Sequence, residues 1–178
     1  MQTAAEHLKG MGSLAASFFF LRGAGIRSEF TRLITTIAYH ISLSIPTSQP
    51  FIQRALQKDP TIPSHSMQDQ LRELVIEPLG QIALRTKPLV VVLDALDECD
   101  DRKSIHQFIR LLAETCRKDR LPLQFLLASR AEDHIHQAFA SNAVQSTTYF
   151  LELENFNADR DITVFLRFKF DEVREQNP

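Results

Sequence analysis

The most constraining stretch of this chain is Leu89-Val90-Val91-Val92-Leu93, introduced by Pro88 and running straight into Asp94-Ala95-Leu96-Asp97-Glu98-Cys99-Asp100-Asp101. An unbroken apolar run with a β-branched centre suits a strand covered on both faces, as in the parallel sheet of an α/β protein. Ligands of such sheets bind beyond the carboxyl ends of the strands, and that is where Asp94, Asp97 and Glu98 fall. A carboxylate at that point can hold a Mg²⁺-bound water, and acids just beyond it can orient or deprotonate an attacking water in phosphoryl transfer. This is the layout of a Walker B segment. Taken singly, each acid has a plainer explanation: a turn and a helix start come next, and Asp100 or Asp101 would cap that helix. An EF-hand fits poorly, because no Gly stands at its turn position and the alternating ligands are missing.

A chain of 178 residues suits one domain with a full-sized core. The net charge of -2, with no basic block, gives no sign of binding to nucleic acid or an anionic membrane, and neither is expected as a partner. The strongly apolar run Ala15 to Leu21 is too short to span a bilayer, and the first residues carry no signal-peptide core, which points to the cytoplasm. Cys99 and Cys116 lack metal-ligand spacing and read as reduced thiols. His134 and His136 are two apart, so a helix would turn them to different sides.

Gln2 to Lys9 consists of good helix formers without a convincing N-cap, and reads as the end of a helix closed by Gly10 and Gly12. Leu14 to Leu21 follows as a strand built on Phe18-Phe19-Phe20. Gly23-Ala24-Gly25 lacks the Lys-Ser/Thr of a phosphate loop and reads as a turn. Over Ile26 to Ile45, the positions Phe30, Leu33, Ile34, Ile37 and Ile41 form one helical stripe, ended by Pro46. A shorter helix, Phe51 to Lys58, lies between Pro50 and Pro60, and Thr61 to Ser66 is a loop. Met67, Leu71, Leu74, Val75, Leu79 and Ile82 make the next stripe, which Pro78 should kink.

After the acidic strand, Ile105, Phe108, Ile109, Leu112 and Cys116 mark an amphipathic helix. Leu121 to Ala128 is a further strand, ending in Ser129-Arg130. Ile135, Ala138 and Phe139 suggest a short helix, Thr147 to Leu153 a strand, and Ile162, Phe165, Leu166, Lys169 and Val173 a closing helix. Alternation of this kind predicts an α/β fold, a largely parallel sheet with helices on both faces. Ser129-Arg130, at the carboxyl end of a strand beside the acidic one, admits two readings. Arg130 either faces a nucleotide's terminal phosphate, which its planar fork suits, or pairs with a nearby acid.

The motifs Ala16-Ser17-Phe18-Phe19-Phe20, Thr36-Ile37-Ala38-Tyr39, Glu77-Pro78-Leu79, Asp94-Ala95-Leu96-Asp97-Glu98-Cys99-Asp100 and Ser129-Arg130 occur in this order over nearly the whole chain. Together they resemble the NACHT-type ATPase domain, and most closely the set found in mushroom-forming fungi that is labelled nephrocystin-three-like N-terminal. Members are STAND-class P-loop NTPases, similar to animal and plant NLR proteins. They are nucleotide-driven switches that oligomerise in self/non-self recognition and immune signalling. The resemblance implies a three-layer P-loop NTPase-like fold. It also implies that Asp94 holds Mg²⁺, that Asp97 and Glu98 support hydrolysis, and that Ser129 and Arg130 are the sensor-one pair. ATP or GTP with Mg²⁺ would be the cofactor of the complete domain.

Two departures qualify what is implied. Ala131 stands where the family usually has Pro. No GxxxxGK[ST] occurs anywhere, although the family's strand and phosphate loop should lie just before Gln2. That loop and its Lys supply most of the grip on the phosphates. The resemblance therefore describes residues 1–178 as a single partial NACHT domain. It lacks the first strand, whose place is between the Ser129-Arg130 strand and the last one, and the winged-helix region at the other end. Such a chain is expected to bind nucleotide weakly or not at all alone. The competing expectation is a non-catalytic interaction module that keeps the NACHT surface for a homo-oligomer or a NACHT-family partner. A hydrolase built on the acids alone is disfavoured, since no further ligand cluster or nucleophile-base pair is visible.

Overall fold

The computed structural model describes residues 1–23, 25, 29–82, 89–119 and 123–176. It divides into two units, Met1–Thr148 and a second that begins at Tyr149. The first unit is an α/β structure with a three-stranded parallel sheet flanked by helices, in the order β1-β2-β3. β1 is Leu14–Phe19, β2 is Leu89–Asp94 and β3 is Leu123–Leu127. Residues 120–122, part of the expected third strand, lie outside the described residues, as do Pro88, Ala24 and residues 26–28. The middle strand is the apolar run: Val91, Val92 and Leu93 are fully buried. Its register is continuous against β3, Leu89 to Leu123 through Leu93 to Leu127, and slips once against β1 between Leu14 and Ala16.

The helices form where the stripes predict them. α1 (Gln2–Gly10) leads into β1. α2 (Leu33–Ser44), entered through a 3-10 turn at Phe30–Arg32, buries Leu33, Ile34, Ile37, Ala38 and Ile41 and packs on β1. α3 is Gln49–Lys58, with Pro50 in its first turn, where a missing N–H costs nothing. The expected loop at Thr61 to Ser66 contains a single 3-10 turn, Ile62–Ser64.

The next stripe is one rod in three pieces: α4 (Met67–Leu71), a π-helical turn (Arg72–Ile76) and α5 (Glu77–Gly80). Pro78 supplies no amide, and its ring would crowd the carbonyl a turn back. The wide π turn just before it absorbs both problems, and Leu74, Val75 and Leu79 stay buried.

α6 (Arg102–Asp119) follows β2 and buries Ile105, Phe108, Ile109 and Leu112. α7 (Asp133–Phe139) and α8 (Asn142–Gln145) both pack against α6.

The second unit corrects one expectation. Thr147 to Leu153 forms no strand; from Thr148 to Glu152 it is irregular, and Leu153–Asn155 is a 3-10 turn. A strand is completed by a neighbour that takes its amides and carbonyls, and composition alone does not supply one. The closing helix does form, as α9 (Asp159–Gln176), with Asn157 Oδ1 accepting from the Asp159 amide at 2.9 Å. Its residues Ile162, Val164, Phe165, Leu166, Phe168 and Phe170 are exposed. No helix among the described residues is long and apolar enough to cross a membrane.

Candidate functional site

The three strands end at one edge of the sheet, and the polar residues that follow them meet there. β2 delivers Asp94 and then reverses sharply at Ala95, whose backbone is left-handed at φ 56° and ψ 48°. Ala95 is the only non-glycine with positive φ among the described residues. A Cβ in this region costs about 1–2 kcal/mol per residue, and such strain gathers where a turn must aim functional side chains. The turn is held by Asp94 itself, whose Oδ1 accepts from the Ala95 amide at 2.9 Å, and by the Glu98 amide donating to the Ala95 carbonyl at 2.9 Å. Asp94 Oδ2 has no such partner. It sits 4.0 Å from the Met1 amine, so the start of α1 lies beside it, and the side chain is 30% exposed.

Asp97 has the opposite surroundings. It is only 3% exposed, and its Oδ1 accepts from the Ser129 hydroxyl at 3.1 Å and from the Arg130 amide at 3.0 Å. A buried carboxylate needs such donors, since desolvation otherwise costs several kcal/mol. Asp97 thereby fastens the end of β3 to the turn after β2. The Leu96 amide, donating to the Ala128 carbonyl at 3.2 Å, fastens the same junction. Arg130 pairs with the acid at longer range, Nε to Asp97 Oδ2 at 3.9 Å, and its side chain is otherwise 80% exposed at the mouth of the site.

Glu98 is reached from the other side. The Arg22 amide donates to Glu98 Oε2 at 3.1 Å, and the Arg22 guanidinium donates to the Asp97 carbonyl at 2.7 Å. Arg22 was not singled out by the sequence reading. Its signal was available: it is the first cation after the Phe-rich strand, and strand ends in a parallel sheet converge. The site thus brings together Asp94, Asp97, Glu98, Ser129 and Arg130, and adds Arg22.

The remaining acids belong to the next helix. Asp101 accepts from the Ser104 amide at 3.0 Å and the Ser104 hydroxyl at 2.6 Å, which caps α6. Those bonds from Ser104 hold the Asp101 carboxyl below its ordinary range. Burial pushes the Cys99 thiol up, and the Asp101 and Asp100 carboxylates add to the effect; burial alone raises Cys116. Neither thiol is thereby an activated nucleophile.

No group of three or more His, Cys, Asp or Glu side chains that could hold a metal ion occurs among the described residues. Asp94, its side chain 30% exposed at a strand end and one oxygen engaged by the Ala95 amide, is the carboxylate here that could contribute an oxygen to a largely hydrated Mg²⁺.

A family model described as nephrocystin 3, N-terminal, matches residues 1–130. The chain belongs to the nephrocystin 3 N-terminal family. The matched span begins at α1 and ends at Arg130, so it contains every residue of the site, including Arg22. α7, α8 and the second unit lie beyond it. No curated protein shows a significant match to the chain.

Proposed function

We propose that this nephrocystin 3 N-terminal chain carries the acidic half of a nucleotide site in a NACHT-type switch ATPase or GTPase, with Asp94 as the Mg²⁺ carboxylate. The observation that carries the reading is the convergence at one sheet edge of an accessible Asp94 oxygen, the Ser129-Arg130 end of β3 and the first turn of α1. A helix start is favourable to anions, and an exposed guanidinium suits phosphate. Bound Mg²⁺ would neutralise charge on the phosphate oxygens. Within the site, Asp94 would hold its water shell and Glu98, oriented by the Arg22 amide, would stand next to the attacking water. Asp97 would support hydrolysis by holding Ser129 and Arg130 in place. With no GxxxxGK[ST] in the sequence, strong binding requires that loop to be supplied.

The test is a fusion that places an apolar strand and a GxxxxGK[ST] loop ahead of Met1. Mg²⁺-dependent binding of ATP or GTP should appear, measured by fluorescent-nucleotide titration, and should drop at least about tenfold in Asp94→Ala, equivalent to ~1.4 kcal/mol. Equal binding with and without Asp94 would sink the assignment.

A second reading is a non-catalytic NACHT-derived interaction module. It is favoured by Asp97, whose Oδ1 is engaged in joining the turn after β2 to the end of β3. This reading expects the chain to bind a copy of itself or a NACHT-family relative without nucleotide. A loop-restored fusion that hydrolyses nucleotide through Asp94 and Glu98 counts against it.

A further inference from the structure

We propose that the Arg22 side chain is a positioning residue for hydrolysis, a role that rests on the nucleotide reading above and extends it from the acids to the end of β1. β1 stays beside β2 to the edge of the sheet, where the Phe20 amide donates to the Asp94 carbonyl at 3.1 Å. Two residues later, Arg22 grips the 3-10 turn Leu96–Glu98 at two points. Its amide donates to Glu98 Oε2 at 3.1 Å, and its guanidinium donates to the Asp97 carbonyl at 2.7 Å. The chain then leaves through Gly23, whose φ of 71° is open to glycine at little cost, so it turns away directly after the grip.

A backbone amide orients a carboxylate only as well as its own segment is held. Arg22 is exposed in a turn, where little else fixes the main chain. Its guanidinium supplies the hold, by reaching past Glu98 to the main chain of the preceding residue. The short bond goes to a carbonyl, whose place is set by the backbone, and not to a carboxylate, which could follow it. That backbone is itself anchored. The buried Asp97 carboxylate accepts from the Ser129 hydroxyl and the Arg130 amide at the end of β3, and the Leu96 amide donates to the Ala128 carbonyl. Arg22 therefore transfers the fixed position of the turn to Glu98. With Oε2 taken by the Arg22 amide, Oε1 is the oxygen left to orient a water. Loss of the guanidinium frees Glu98 without removing any carboxylate, so it should cost rate and not nucleotide affinity.

Amide hydrogen exchange of the full chain tests the grip. The Arg22 amide should be protected, and in Arg22→Ala the amide at that position should exchange about tenfold faster. Kinetics of the loop-bearing fusion test the role. Arg22→Ala should lower kcat at least about tenfold while the Kd for Mg²⁺-nucleotide stays within about twofold. Arg22→Lys should recover part of the rate, because an ammonium can still reach one carbonyl. In a Glu98→Ala background, Arg22→Ala should lower kcat no further. An Arg22→Ala fusion as fast as its parent overturns the proposal and leaves the nucleotide reading standing, as does unchanged exchange at position 22. Weaker nucleotide binding in Arg22→Ala overturns it too, since Arg22 would then be a phosphate contact. A parent fusion that binds no nucleotide sinks the reading itself, and this role with it; one that binds without hydrolysis removes only the roles of Glu98 and Arg22. Should Arg22→Ala fail to fold, Arg22→Lys decides: a lower kcat at unchanged Kd is expected, and a kcat equal to the parent's overturns the proposal.

Discussion

Along β1, the outward backbone groups meet α2: the Ser17 amide donates to His40 Nδ1 at 3.4 Å, and the Ser44 hydroxyl donates to the Ala15 carbonyl at 2.6 Å. Along β3, the groups in the same position, on Leu123, Phe125 and Leu127, meet no described residue. The helices that follow the two strands also run differently. α2 turns back along β1 and lays its apolar stripe on the sheet, so its polar flank reaches the edge. α7, which follows β3, packs against α6 instead. Beyond its pairing with β2, β3 is fastened at its carboxyl end through Asp97 and the Leu96 amide, and this end is the one the candidate site needs.

The comparison breaks most visibly in the packing. Ile41, wholly buried between α2 and the sheet, should cost about 2–5 kcal/mol when cut to Ala. Leu126→Ala, on the open margin, should change stability by no more than ~0.5 kcal/mol. Urea unfolding of the two variants measures both; a similar loss in each would mean that β3 is covered as β1 is.

Asp97→Ala is expected to come next. It leaves the Arg130 amide without its charged acceptor and the Ser129 hydroxyl with only the Arg130 carbonyl, worth about 1–3 kcal/mol. Because it removes the fastening between the end of β3 and the turn after β2, exchange at the Leu127 and Ala128 amides should quicken more than at Val91 or Val92 in β2. A uniform rise over all these amides would show that Asp97 contributes to global stability and not to the pin.

The parts of the molecule that were legible in the sequence are those decided locally. Val91, Val92 and Leu93 announce a buried strand by composition, and Leu33, Ile34, Ile37 and Ile41 announce a buried helix face by spacing. The gathering of Asp94, Glu98, Ser129 and Arg130 at strand ends followed from the alternation of strands and helices. The division of labour among the acids did not. Asp97 is bound from 32 and 33 residues away, and Glu98 from 76 away, so only the assembled sheet separates the buried acid from the accessible ones. Thr147 to Leu153 failed for the same reason in reverse. Its apolar residues suit a strand, but strand formation depends on a neighbour, and periodicity says nothing about whether one arrives.

A smaller effect than the Ile41 and Asp97 changes, and the most specific to the contrast between the edges, is that of Ser44→Ala. The Ser44 hydroxyl has one proton and three carbonyls within reach, Ala15 at 2.6 Å, His40 in its own helix at 2.9 Å and Ile41 at 3.5 Å. The shortest contact crosses from α2 to the sheet edge, and its loss leaves the Ala15 carbonyl to water. Ser44 is itself exposed, so water can replace it at little cost, and the expected destabilisation is at the low end of a net hydrogen bond, about 0.5–1 kcal/mol. The more telling readout is local. Without that link the end of α2 is free to move off β1, and the weaker bond from the Ser17 amide to His40 goes with it. The Ser17 amide should then exchange faster while Phe18, which faces β2, keeps its protection. If Ser17 is as protected as before, the β1 edge is closed by the packing of Ile37 and Ile41 alone. The difference between the two edges would then be one of coverage and not of hydrogen bonding.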